Sequence, residues 1–560
     1  MDSPPGPDIT TSSRSGAMLQ LAAALLWLPQ AGLLAWAVQQ MADGQPMRQL
    51  LAAAAGVLAL GMLRAWCDGS GVLRAHRAAR TVLSRLRARA LQALAHASPL
   101  DKARPSSGRA ASVLAEQAEA MVPWLARYQC AMWRVRVVPM AIAAVVASQS
   151  WLAALILILA APLIPLFMAI VGWRARAASE EQLAEMGGMN AFLLDRLRGL
   201  STLRALGAVE SSARRLRAHA EALRQRTMRV LRIAFLSSAV LELFSALGVA
   251  MVAVYVGFHL LGTLPFGAWG QKLSLGEALF VLLLAPAFFE PLRELSAVWH
   301  DRAAGEAALE ALEELHRQGA SIVGSIEAER MPPAPSTAAA VDIVALEVRA
   351  PGSDTRLEAL NLHIEPGEHV TLWSPSGSGK SVLLAQIAGL VPVAGGEIRI
   401  DGQPLNAETA AAMRARIAWM GQHAHVFAGS MPHNVSLGRA HLGADDVRTA
   451  AEQAALGAVL QARAASSLGE GGSGLSGGEV LRLALARLAV NRDAGLLLVD
   501  EPTAHLDPVT AGQIIDSLLR IARGRTLIVA THDAQLAQRM DRVIRLPWQP
   551  HPRSADGERR

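Results

Sequence analysis

The first 300 positions hold six apolar stretches, at 17–38, 50–66, 135–148, 152–173, 234–261 and 275–298. A helix rises about 1.5 Å per residue and needs about 20 apolar residues to cross some 30 Å of hydrocarbon, so the pattern predicts six membrane-crossing helices. The first stretch exceeds the roughly 7–15 apolar residues of a cleaved signal peptide, and a second span follows almost at once. The connections 41–49, 149–151 and 262–274 are short, whereas 67–134 and 174–232 are long and carry the arginine. Arg74, Arg77, Arg80, Arg85, Arg87 and Arg89 sit in the first, and Arg196, Arg204, Arg214, Arg217, Arg224 and Arg232 are among those in the second. The bias of positive charge to the inner side therefore places both long loops and both termini in the cytoplasm. An alanine-rich helical stretch, 303–314, leads to proline and small residues at 331–340, which mark a linker. Beyond it, short apolar strands alternate with helical segments up to Leu546, predicting an α/β domain with a largely parallel sheet. The expected organisation is a cytoplasmic tail (1–16), a six-helix membrane domain with long cytoplasmic loops (17–318), a linker (319–340), the α/β domain (341–546) and a tail (547–560).

Composition narrows this further. The chain of 560 residues is 52% hydrophobic and only 18% charged, with a mean hydropathy of +0.28. That is too apolar for an ordinary soluble protein, and it excludes disorder and collagen. Of the 53 basic residues, all but Lys102, Lys272 and Lys380 are arginine. Between Arg74 and Arg89 the arginines are interspersed with Ala, Leu and Val and carry no aromatic platform, which argues for a solvated helix face and against nucleic-acid binding. Two cysteines, Cys67 and Cys130, build neither a disulfide scaffold nor a metal site, which suits a reducing cytoplasm for the soluble part.

The chemistry lies in the α/β domain. A strand at 368–373 runs into Ser374-Pro-Ser-Gly-Ser-Gly-Lys-Ser381 and then a helix at 382–390, which is the context of a P-loop. Ser376, Gly377, Ser378, Gly379 and Val382 place backbone N–H groups and a helix N-terminus around a polyphosphate; Lys380 adds a cation and Ser381 a hydroxyl for Mg2+. Ser374 stands where the pattern has its first glycine. The apolar strand 496–499 ends in Asp500 and Glu501, two carboxylates at the carboxyl end of a strand, where α/β sheets bind ligands. Asp500 is read as the Mg2+ holder and Glu501 as the group that polarises the attacking water.

Between these lies Leu475-Ser-Gly-Gly-Glu479, with Arg482 following on a helix. This resembles the signature motif of ABC ATPases, and the resemblance implies further roles. Gln422 becomes the Q-loop residue and a contributor to Mg2+, Leu506-Asp507 the D-loop, and His532 the switch histidine. Ser476, Gly477 and Gly478 would bind the γ-phosphate held by a second chain, so one chain cannot complete its own site. Six spans followed by one such domain resemble an exporter half-transporter of the type IV fold, in which two chains form two composite ATP sites. The segments near 98–108 and 195–207 are the coupling loops this implies, and Gly469-Glu470-Gly471 resembles a short loop that touches the partner's membrane domain.

In the membrane half, the segments 161–172, 192–207 and 223–238 resemble the CydD family. That resemblance implies a bacterial inner-membrane heterodimer with a CydC-like half, exporting cysteine and glutathione in support of cytochrome bd assembly, with heme as an alternative ligand. An anionic thiol needs cations, and Arg64, Arg134, Arg136 and Arg293 are available in or near the spans. Heme would call on His300. Two other classes compete. An idle nucleotide-binding subunit is suggested by Ser374 and Ala350 and opposed by Glu501 and His532, and an importer is opposed by the fusion of spans to ATPase.

Overall fold

The computed structural model describes residues 14–546 except 102, 163–188, 190–191, 194–195, 197–198, 270–271, 318, 325–337, 350–355, 376, 464–466 and 470–473. The described chain divides into two compact units, one made of residues up to Ala88 with Ala110–Glu313, the other of Arg89–Arg109 with the residues from Glu314 onward.

The first unit is helical. It contains α1 (Arg14–Leu25), α2 (Trp27–Ala42), most of α3 (Met47–His96) and of α4 (Ser107–Ala115), α5 (Gln129–Gln149), α6 (Trp151–Ala160), α7 (Val209–Leu261), α8 (Leu275–Ala297) and most of α9 (Trp299–Arg317). Among the described residues, five helical segments are long and apolar enough to cross a membrane: Arg14–Ala42, Met47–His96, Ser107–Gln149, Ala239–Leu261 and Leu275–Arg317. They coincide with five of the six expected spans; the remaining one begins as α6 and leaves the described residues after 162. Leu58, Met62, Trp66, Leu243 and Val254 are exposed while Ile142, Leu157, Val252, Leu284 and Phe289 are buried together, the distribution expected when lipid meets the outer faces. α1 and α3 cross at glycines: a Cβ on Gly71 would lie 2.9 Å from the Gly16 carbonyl oxygen and 2.8 Å from Gln20 Cγ. Such small residues let helix backbones approach closely. Elsewhere in the bundle a polar knot joins helix ends. Ser150 caps α6 and donates to the Gly267 carbonyl at 2.7 Å, with Tyr255 Oη 2.9 Å away. Buried His259 spans the Leu264 carbonyl and the Leu273 amide.

The second unit carries two main sheets. β1 (Val341–Arg349), β2 (Arg356–Ile364), β4 (Glu397–Ile400) and β5 (Gln403–Pro404) form an antiparallel sheet in the order β2-β1-β4-β5. β3 (His369–Trp373), β6 (Ile417–Met420), β9 (Leu496–Asp500), β10 (Thr526–Thr531) and β11 (Arg542–Arg545) form a parallel sheet in the order β11-β3-β10-β9-β6. A small pair joins β7 (Gly429–Ser430) to β8 (Ser467–Leu468). Every residue of β9 and β10 is buried, as a parallel strand covered on both faces requires. The period of two sorts them: Leu496, Leu498, Ile528 and Ala530 enter one core, Leu497, Val499, Leu527 and Val529 the other.

The segment 319–324, the beginning of the expected linker, is hydrogen-bonded within this unit. The Ser98 amide donates to the Ala320 carbonyl at 2.7 Å, the Ile322 amide to the His96 carbonyl at 2.8 Å, and the Ala320 amide to Asp101 Oδ2 at 2.6 Å. On its other side the Val323 amide reaches the Gly389 carbonyl at 2.9 Å, and Arg414 Nη1 reaches the Val323 carbonyl at 2.6 Å. Residues 96–101, which overlap the start of the expected coupling segment 98–108, are thereby joined to the ATPase unit.

Candidate functional site

In a parallel sheet all carboxyl ends lie along one edge, and four of these ends carry the expected residues. β3 leads into the 374–379 loop and α10 (Lys380–Ile387); β9 ends at Asp500 with Glu501 next; β10 is followed by His532; β6 is followed by Gln422. The register sets Trp373 beside Thr531 and Asp500 beside Ala530. The edge therefore gathers residues separated by more than a hundred positions in sequence.

Gly377 and Gly379 have φ of +84° and +93°, a conformation that side chains resist and that turns a loop back onto a helix start. Lys380 is 5% exposed, and its Nζ donates to the carbonyls of Ser374 at 2.7 Å and Pro375 at 3.1 Å. The same Nζ stands 3.8 Å from Glu501 Oε1. Glu501 is 9% exposed, holds a φ of +49°, and is pinned by its amide on the Ala530 carbonyl at 2.8 Å. A non-glycine residue in that region stores about 1–3 kcal/mol of strain. His532 Nδ1 lies 2.9 Å from Glu501 Oε2. A cation, a buried carboxylate and an imidazole thus form one chain of contacts.

Asp500, 3% exposed, hydrogen-bonds Ser381. Burial pushes its carboxyl above the ordinary aspartate value and Glu501 adds to this, while the Ser381 bond and the Lys380 charge pull the other way. Its Oδ1 is buried without a partner, as are the hydroxyls of Ser374 and Ser378. Buried oxygens normally find partners; three orphans along one phosphate-binding loop and its neighbouring carboxylate suit a metal-bound polyphosphate. Val382 is half-buried against the sheet core, and Gln422 is exposed at the same edge. Ser376 and the Glu470-Gly471 pair lie outside the described residues.

The signature residues are built differently. Ser476 is the N-cap of α11 (Gly477–Val490), accepting the Glu479 amide at 3.3 Å while Glu479 Oε2 accepts the Ser476 amide at 2.7 Å. The glutamate at 479 thus completes a capping box. Ser476 and Gly477 are exposed and Gly478 half-buried, and no described hydrogen bond or ion pair joins the three to Lys380, Asp500 or Glu501. Asp507 caps α12 (Pro508–Ile521) through the amides of Val509 and Thr510.

Sequence reasoning missed two supports of this site. Arg487 on α11 donates to the His425 carbonyl at 2.7 Å, and to the Asn434 carbonyl and Asn434 Oδ1 at 2.8 and 3.1 Å, tying the signature helix to the segment after Gln422. Its one sequence signal is its spacing, 11 positions and about three helical turns beyond Ser476. Thr503 Oγ1 donates to Asp533 Oδ2 at 2.7 Å, joining the turn after Glu501 to the one after His532. Among the membrane arginines, Arg134 pairs with Glu294 at 2.9 Å and Arg293 with Glu242 at 3.1 Å, Arg64 lies 5.1 Å over the Trp27 ring, and Arg136 is exposed. The His300 side chain lies outside the described residues.

Residues 357–504 match the ABC transporter family model, and residues 19–292 match the ABC transporter transmembrane region. The chain is 34% identical to the glutathione/L-cysteine transport system ATP-binding/permease protein CydD of Haemophilus influenzae, over 78% of this chain and 74% of that one. It is 32% identical to the protein of the same description from Escherichia coli K12, over 92% and 88%. A solved bacterial Atm1-family ABC exporter with ATP bound superposes with a TM-score of 0.73 at 21% identity, covering 98% of this chain and 94% of that one.

Proposed function

Because this chain belongs to the ABC transporter family and joins that family's membrane region to its ATPase, we propose that it is one half of a heterodimer that hydrolyses ATP to export small thiols, cysteine and glutathione, across the bacterial cytoplasmic membrane. The observation that carries the catalytic part is the Lys380–Glu501–His532 chain beside Asp500 at a single sheet edge. Lys380 would leave its carbonyl partners for the β- and γ-phosphates, and the amides following Gly377 would cradle them. Mg2+, held by Ser381 and Asp500 with Gln422, would neutralise phosphate charge. Glu501, oriented by its strained backbone and by His532, would take the proton of the attacking water. The presence of both residues in contact opposes an idle site.

Ser476 and the amides of Gly477 and Gly478 crown the exposed end of α11, free to meet a nucleotide held by another chain. That arrangement supports a partner, and the likeness to CydD supports a CydC-like one and a role in cytochrome bd assembly. The cargo reading draws support from the relatives' description as glutathione/L-cysteine transport proteins. Heme gains no comparable support. The test is ATP-dependent accumulation of labelled cysteine or glutathione in inverted vesicles containing both halves. Uptake that is lost in Glu501→Gln is the expected result, and ATP turnover without thiol movement would overturn the cargo.

A further inference from the structure

Within the helical unit, α1, α3, α5 and α8, with the turn preceding α5, enclose a cleft of about 340 Å3. Its polar lining is Gln20, His76, Arg127, Arg134 and Glu294; the rest is apolar. Arg134 and Glu294 face each other through two parallel contacts, Nη1 to Oε1 at 3.0 Å and Nη2 to Oε2 at 2.9 Å, with side chains 20% and 33% exposed. Arg134 Nε is buried without a partner. Arg127 is held only loosely, 3.6 Å from Asp301 Oδ2. His76 uses Nδ1 on the Val72 carbonyl of its own helix, which turns the other ring nitrogen to no described partner.

A half-buried ion pair is weak evidence of stability, since replacing such pairs by apolar groups is often neutral or better. Here one carboxylate, two guanidiniums and an imidazole line a single opening, with Asp301 beside Arg127 balancing part of the positive charge, so the lining offers both donors for a carboxylate and an acceptor for a cation. The volume equals that of about eleven liquid waters at roughly 30 Å3 each, enough for a short peptide and near the lower limit of small-molecule pockets.

We propose that this cleft binds a small amphoteric acid, its carboxylates on Arg127 and His76 and its ammonium on Glu294, with Arg134 holding Glu294 in place. Free amino acids and short γ-linked peptides have this chemistry, and cysteine and glutathione belong to the class. The assignment rests on the thiol reading above and deepens it by locating the site. It also selects among the cations the sequence offers: Arg134 borders the cleft, Arg293 is engaged with Glu242 outside its lining, and Arg127 and His76 are additions.

The experiment uses the full chain with its partner half, and reads both uptake into inverted vesicles and equilibrium binding of labelled glutathione to the purified complex. Arg134→Gln would strand Glu294 and threaten folding, so the test falls on Arg127→Gln and His76→Gln. Charge-assisted hydrogen bonds contribute about 1.5–3 kcal/mol, so each variant should raise the half-saturating glutathione concentration by roughly tenfold or more. Glutathione diethyl ester, its carboxylates masked, should bind weakly to wild type and lose nothing further in Arg127→Gln, the non-additivity that marks a direct contact. Arg224→Gln, which breaks an exposed pair with Glu221 outside the lining, should leave the half-saturation where it is. Unchanged glutathione binding in both variants, with uptake intact, overturns the cleft and leaves thiol export standing. No uptake by the wild-type complex removes the thiol reading, and the binding measurement then decides the cleft by itself.

Discussion

At the residue scale, the chain of contacts from Lys380 through Glu501 to His532 separates binding from turnover. Glu501→Gln keeps shape and burial but removes the proton acceptor, so ATP turnover in the complex should fall by about 10²–10⁴-fold while ATP binding persists. Lys380→Ala removes the loop's cation and should raise half-saturating ATP by roughly tenfold or more, read by nucleotide binding. Asp500 supplies a pH dependence. Burial raises its pKa above the ordinary 3.8, so protons compete with Mg2+ closer to neutrality than at an exposed aspartate. Half-saturating Mg2+ should therefore increase as pH falls, and a flat Mg2+ requirement from alkaline to mildly acid buffer would contradict the assignment. On the surface of the same unit, hydrogen bonds to Asp342 and Glu365 raise the pKa of His363 above 6.5. A raised histidine pKa stabilises fully below the unfolded value and is lost as pH rises through the folded one. Thermal unfolding should show that decline, and His363→Gln should flatten it. These residues were legible in sequence where the motif is contiguous, as in 374–381, because a phosphate loop needs neighbours in order. The orphaned hydroxyls and the Arg487–Asn434 tie were not, since each depends on which segments the sheet brings together.

At the element scale, the α1–α3 crossing depends on two backbones meeting. Gly71→Leu must displace the Gly16 carbonyl or Gln20, an overpacking that costs about 1–3 kcal/mol or more, whereas Gly69 has nothing within 4 Å of a built Cβ. Gly71→Leu should reduce the yield of monodisperse protein and Gly69→Leu should not. Arginine asymmetry predicts that the loops at Gly44, Gln149 and Ala268 lie outside and those at Arg80 and Arg217 inside. Single-cysteine labelling from the periplasmic face, in a background without Cys67 and Cys130, should mark the first three alone; labelling at position 217 would invert the topology. Five spans could be read directly because a membrane imposes length and polarity on each helix by itself. What periodicity could not reveal is that 319–324 is a strap hydrogen-bonded on both sides, because it carries no periodic pattern of its own, runs into the proline-rich spacer at 331–340, and has its pairing partners far away in the chain.

At the scale of the whole molecule, the exposed signature end of α11 and the buried Lys380–Glu501 pair would, in the proposed heterodimer, serve two different reaction centres, each completed by the partner chain. The purified single chain should turn over little ATP, and addition of the non-identical partner should restore it; full activity from a demonstrated monomer would sink the composite site. The ATPase unit is itself discontinuous, taking in Arg89–Arg109 from within the membrane half. Asp101 and its partner Ala320 are 219 positions apart, and ribosomes add about 5–20 residues per second, so the loop is made roughly 10–40 s before the strap that receives it. During that interval the Ser98 amide and the His96 carbonyl have no strap to pair with. Biogenesis of this chain is therefore not a simple succession of finished domains: an early-made hairpin must wait, solvated and open to chaperones or proteases, and a nascent chain arrested before position 319 would present it permanently.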